Sequence, residues 1–305
     1  MPQPFDKPSL SFDDQIELLI KRGLVIKDRE YAKHHLSHLN YYRIAAYCLP
    51  FQKQNEDHAF RDGINFETII DHYCFDSKLR FLLIDAIEKI EVSIRTQWAY
   101  HFSQQYGPSC YTIENSSIVK NVGHLRAALE ELQTSIDRSD ERFIEHHRSV
   151  YSDPYPPVWV ACEVMSLGQI SRFYSNMRTF NVRKRIADSY GFDEKFLEGF
   201  LEHLTYVRNV AAHHSRLWNR HLTKKMPLVK NKPAGLRQNL NIEDYAHHRI
   251  YNTFVMVSYL IGIIRPNRNW GEELKSLVNE YRINTRAMGF PENWVELPIW
   301  RTKTP

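Results

Sequence analysis

Residues 75–102 read FDSKLRFLLIDAIEKIEVSIRTQWAYHF. Within them Leu79, Leu83, Ile87, Ile90, Ile94 and Trp98 recur in steps of three or four, and neither Gly nor Pro interrupts the chain between Gly63 and Gly107. A helical period held over that distance predicts one long amphipathic helix with its apolar face against other helices. Upstream, Ser11 with Asp14 forms a capping-box pattern ahead of Ile16, Leu18, Leu19 and Ile20, with Gly23 as the stop. Asp28 is placed to cap a second helix through Leu39, before the aromatic cluster Tyr41, Tyr42 and Tyr47 and a break at Pro50.

Downstream, Pro156 and Pro157 precede a helical stretch from Val158 to Met177. Asp193 can cap a helix that buries Phe196, Phe200, Leu204 and Val207, and a last long element runs from about Ile242 to Ile264, ending at Pro266. Segments 108–156 and 222–241 hold turn residues and shorter helical patches. The pattern predicts an all-α helical bundle with an N-terminal helical extension. The expected division is 1–62 as the N-terminal helical segment, 63–265 as the bundle, and 266–305 as a C-terminal helix and tail packing on it.

Composition narrows the function. The eleven glycines never lie closer than Gly191 and Gly199, so neither a G-x-G-x-x-G fingerprint nor a phosphate-binding G-x-x-x-x-G-K-[ST] loop can be written, and no dinucleotide is expected. Cys48, Cys74, Cys110 and Cys162 are too dispersed for C-x-x-C zinc or redox motifs, which fits a reduced, cytoplasmic setting. Residues 1–12 lack an apolar signal-like core, and the apolar run Phe254 to Ile264 is too short for a membrane span. Four adjacent His pairs, at 34/35, 146/147, 213/214 and 247/248, point their rings about 100° apart on a helix, so no metal site and no cofactor are expected.

The charge is distributed unevenly. His203 to Ile242 contains no Asp or Glu but holds Arg208, Arg216, Arg220, Lys224, Lys225, Lys230, Lys232 and Arg237. Val164 to Ala187 is also acid-free and carries Arg172, Arg178, Arg183, Lys184 and Arg185. Such density favours a polyanion, because each neutralised phosphate releases counterions. The alternative is a solvated basic face without a specific ligand.

Inside the first window lies Tyr206 to Arg220, YVRNVAAHHSRLWNR. Arg208 and His213 are separated by four residues, but an Arg followed by a His after four to six residues also starts from Arg29, Arg95, Arg142 and Arg216, so spacing decides nothing alone. Context sets Arg208 apart: Asn209 follows it, Ala211 and Ala212 keep the helix surface thin, and no carboxylate lies nearby in sequence.

The run RNVAAHHSRLWNR resembles the signature of the Abi-like family, the abortive-infection proteins of the AbiD and AbiF kind, which carry a HEPN fold. KPSLSFDDQIELLIKRGLVIKD, LNYYRIAAYCLPF, FDSKLRFLLIDAIEKIEVSIRTQWAYHF and PPVWVACEVMSLGQISRFY agree with it in order. The resemblance implies a HEPN-like bundle over 63–265 and an RNA-cleaving or RNA-binding defence protein acting as a homodimer, with RNA as substrate and a small structured RNA as a neutralising partner.

Metal-free cleavage needs a proton acceptor, a group that stabilises the phosphorane, and a proton donor. His213 suits proton transfer, since imidazole titrates near ~6.5. Arg208 suits the phosphate with its planar fork, and Asn209 can orient either through its amide. The competing reading pairs Arg208 with a core carboxylate and packs His213 between helices. His214, about 100° further round the helix, is expected in support, as are Glu91 and Arg95, which share a face of the long helix with Glu88. Arg216, Asn219, Arg220, Lys224 and Lys225 are candidates for the RNA backbone, and Tyr41, Tyr42 and Arg43 for stacking on single-stranded RNA. The alternatives to a nuclease are a non-catalytic RNA-binding module and a helical protein-interaction module.

Overall fold

The computed structural model describes residues 8–54 and 57–301. Among them every element is an α-helix or a short 3-10 turn; three isolated bridges, Val25 with Asn65, Gln52 with Phe60 and Val119 with Met177, are the extended pairings. The chain divides into two compact units, one of residues 1–79 with 277–283 and the other of 80–276 with 284–305.

The first unit begins with α1 (Phe12–Lys21), opened by the reciprocal Ser11 and Asp14 capping box, and α2 (Arg29–His38), capped by Asp28 on the Tyr31 amide. A third helix, α3 (Tyr41–Cys48), is capped by Asn40. The long helix α4 (Phe66–Tyr106) starts here and contributes to both units. Ile16, Leu19, Ala32, Leu36, Ile44 and Phe66 are buried together with Tyr47, whose hydroxyl donates to the fully buried Asp76 at 2.6 Å.

The second unit continues α4 and adds α5 (Val122–Asp137), α6 (Arg142–Val150), α7 (Val158–Val164), α8 (Leu167–Asn176), α9 (Phe180–Asp188), α10 (Glu194–Ala212) and α11 (Tyr251–Ile264). The helix α12 (Trp270–Glu280) also contributes to both units. The α4 stripe is buried as its period requires, and Trp98 packs on Phe102, Tyr111 and Phe173. Seven consecutive residues of α11, Tyr251 to Val257, are buried, as expected of a helix that is apolar all round. Among the described residues no helix is long and apolar enough to cross a membrane.

Three expectations need correction. The stretch Val158–Met177 is two helices, because Ser166 and Gln169 form a capping box that starts α8 afresh: the Gln169 amide donates to Ser166 Oγ at 3.2 Å and Gln169 Oε1 accepts from the Ser166 amide at 2.7 Å. The element expected from Ile242 becomes regular only at Tyr251, since Asn241 and Asn252 exchange hydrogen bonds of 2.9 and 2.8 Å that hold the preceding segment in another path. The second basic stretch is acid-free in sequence alone. Arg172 pairs with Glu131, Arg183 with Glu198 and Lys184 with Asp188, while Arg178 is occupied by backbone carbonyls of Val119 and Lys120. Three of its five cations are therefore paired with carboxylates.

Candidate functional site

The helix α10 is opened by Asp193, which accepts from the Phe196 amide at 2.7 Å, and is held by a buried stripe of Phe196, Phe200, Leu204, Val207 and Ala211. On a regular helix Asn209 and His213 then fall on the opposite half, while Arg208 lies at the edge of the stripe, about 80° from its middle. At about 100° and 1.5 Å per residue, His213 lies roughly 140° round the axis from Arg208 and about 7.5 Å along it, with Asn209 between them. Arg208 is half-exposed, and Asn209 and His213 are exposed. Arg208 Nη1 donates to Asn209 Oδ1 at 3.4 Å, and no carboxylate among the described residues pairs with the guanidinium. Both side chains are thus open to solvent, not engaged in a core ion pair or packed between helices.

His213 is the cap of α10, so His214 does not continue the helix as expected from sequence. It has a left-handed backbone (φ 56°), the His214 amide donates to Ala211 O (3.1 Å) and the Ser215 amide to Val210 O (3.0 Å). This is a Schellman turn with histidine where glycine is usual. A Cβ in that conformation costs about 1 kcal/mol. His214→Gly is therefore expected to equal or exceed the parent chain in urea-unfolding stability. A loss above about 1 kcal/mol would mean that the imidazole, not the backbone, holds the turn.

The turn sends the chain back along α10. Leu217 and Trp218 are buried as anchors, and Asn219, also left-handed (φ 49°), accepts from Arg249 Nη1 at 3.2 Å. Arg216 and Arg220 are half-exposed, and Arg220 Nη1 donates to Arg216 O at 3.3 Å. The returning segment is fixed by the Leu222 amide on His248 O (2.9 Å) and by His203. The His203 Nδ1 donates to Lys224 O (3.1 Å), which leaves Nε2 to accept from Thr253 Oγ1 (2.8 Å). Of the two lysines, Lys224 pairs with Glu202, and Lys225 is exposed.

His203 is fully buried, and burial pushes its pKa down to about 4. The unfolded chain takes up this proton below about 6.5 while the folded chain refuses it, so stability falls as pH drops from 6.5 towards 4, by roughly 3 kcal/mol in full. The urea midpoint of the parent chain is expected to fall over that window more steeply than that of His203→Gln; parallel profiles would contradict the assignment.

Tyr206 has no role in the sequence reading, although its spacing of three and seven residues to Asn209 and His213 puts it on their side of α10. Burial raises its phenol, but the hydrogen bonds of Thr223 and the Arg220 guanidinium beside it outweigh that and hold it below the ordinary value. The Thr223 amide donates to its Oη at 3.3 Å.

Glu91 and Arg95 form a largely buried pair, and Arg95 also donates to Glu163 O and Met165 O. These bonds satisfy carbonyls at the end of α7 and stabilise the α7–α8 break. Among the described residues none of them runs to Arg208 or His213. The α8 start nonetheless adjoins the site: a Cβ on Gly168 would meet Thr205, one turn before Arg208 on α10. Glu88 pairs with Lys89.

Tyr41, Tyr42 and Arg43 open α3 in the first unit. The two tyrosine rings stand at 87° to each other, so a base stacked on one cannot lie parallel to the other. Arg22 Nη1 donates to Tyr41 Oη at 2.9 Å. Among the described residues no group of three His, Cys, Asp or Glu side chains is placed to hold a metal ion.

Comparison with known proteins adds one match. The family model described as Abi-like protein matches residues 34–219, more than half of the chain and including Arg208, Asn209 and His213. Neither the curated proteins nor the solved structures contain a match. With the long α4 helix and the RNVAAHHSRLWN segment both inside the matched span, the chain belongs to the Abi-like family.

Proposed function

We propose that this protein is a metal-independent endoribonuclease of the HEPN type, acting as a cytoplasmic toxin in abortive-infection defence. The observation that supports it most is the solvent-facing end of α10, where a guanidinium without a carboxylate partner among the described residues shares a helix half with an exposed imidazole. In the reaction His213 takes the proton of a ribose 2′-hydroxyl as that oxygen attacks the adjacent phosphorus. Arg208 donates to the non-bridging oxygens, where negative charge grows, and Asn209 orients the guanidinium through the bond already formed. The P–O5′ bond breaks, and the leaving oxygen needs a proton. The same histidine of a second copy of the chain supplies it, so the working form is a homodimer. Arg216, Arg220 and Lys225 line the return from this helix end and give the RNA backbone its positive counterpart.

Cleavage and affinity must be measured separately. Arg208→Ala and His213→Ala are expected to keep RNA binding within a few-fold of the parent chain while losing cleavage and toxicity. A parent protein that binds RNA tightly and never cuts it would instead mark a binding module partnered with a small structured RNA.

A further inference from the structure

The first unit contains a cavity of about 820 Å³ between α1, α2 and α3, within the range of small-molecule sites. Its walls are Leu18, Leu19, Leu36, Ala45 and Cys48, and its rim includes Leu10, which Gln15 Nε2 holds by its carbonyl at 3.1 Å. Leu10, Phe12, Tyr42 and Leu49, all around the mouth, are exposed large apolar residues, a concentration that calls for an apolar occupant.

Apart from His58, one cationic side chain lines this largely apolar space. Arg22 lines the cavity with its Nη1 on Tyr41 Oη, no carboxylate lies among the described lining residues, and no carboxylate of the described residues pairs with Arg22. The two acidic protons nearby do not compensate it. Burial raises the Tyr41 phenol above its ordinary value despite Arg22, and burial pushes the Cys48 thiol up to about 12, so both groups stay neutral. The Cys48 thiol is also a poor nucleophile in that state, which makes the site one of reversible binding.

We propose that this cavity binds one small molecule with an apolar body and a single anionic head, the head seated on Arg22. The volume suits a medium-chain carboxylic acid or an aromatic acid.

The test titrates the full-length protein with the fluorescent probe 1-anilinonaphthalene-8-sulfonate and displaces it with decanoate or decanol, which share an apolar chain and differ in charge. Saturable binding of one probe per chain is expected, with decanoate displacing it about tenfold more strongly than decanol. Arg22→Gln should remove that preference, and Arg22→Lys should restore most of it. Ala45→Trp fills the cavity and should abolish probe binding; Leu18→Trp serves the same end if the first variant loses its helical circular dichroism. Absent or non-saturable binding, indifference to both tryptophan variants, or equal displacement by decanoate and decanol would overturn the proposal. So would probe uptake that rises on dilution, since the occupant would then be a second copy of the chain.

Discussion

Arg208→Ala and His213→Ala will each slow RNA cleavage by roughly a thousandfold. Removing one donor to a developing oxyanion costs about 10²–10³ in rate, and removing a general acid or base costs about 10²–10⁴. In the proposed dimer each substitution is present twice, and about a thousandfold is the top of the first range and the middle of the second. Their stability should stay within about 0.5 kcal/mol of the parent chain, because Arg208 is half-exposed, His213 is exposed, and the α10 core stripe is untouched. Single-turnover cleavage of a labelled RNA, with urea unfolding as the control, separates the two effects. If both variants cut at parental rates, the end of α10 is not where the chemistry happens.

The second large effect is structural and reaches the same turn. Gly289 has a left-handed backbone (φ 87°), and a Cβ built there would lie 2.6 Å from Arg249 Cβ. Two costs add in Gly289→Ala: the strained conformation and the displacement of Arg249. We expect a loss of about 2–4 kcal/mol, read from the urea midpoint. Arg249 is the donor to Asn219 in the turn after α10, so the variant should also lose cleavage at temperatures where it is still folded. A change below about 0.5 kcal/mol would show that Arg249 can move aside freely.

Local signals carried much of the architecture. Ser11 with Asp14, Asp28 and Asp193 each open a helix in the structure as their side chains predict, and the long α4 follows from its period and its freedom from Gly and Pro. The break between α7 and α8 overturns the single stretch expected over Val158–Met177, although Ser166 and Gln169, three apart as a capping box, mark it in the sequence. The left-handed His214 was not legible: no Gly or Asn follows the helix, and the Schellman bonds become visible only when the chain is traced. Distance in sequence hid the rest. Nothing near Arg172 or Arg183 announces Glu131 and Glu198, and nothing near Ile242 announces the Asn241 and Asn252 exchange. At the site itself, the exposed half of α10 followed from helix geometry. The path of the return segment did not, since it depends on the buried His203 bridging Lys224 and Thr253.

The most direct measurement is the chemistry of the cut ends. Purified parent protein is incubated with single-stranded RNA in EDTA, and the fragments are identified by mass spectrometry. Attack by the 2′-hydroxyl predicts a 2′,3′-cyclic phosphate on one fragment and a 5′-hydroxyl on the other, with neither formed by Arg208→Ala or His213→Ala. Cleavage that requires magnesium and leaves a 5′-phosphate would contradict the account.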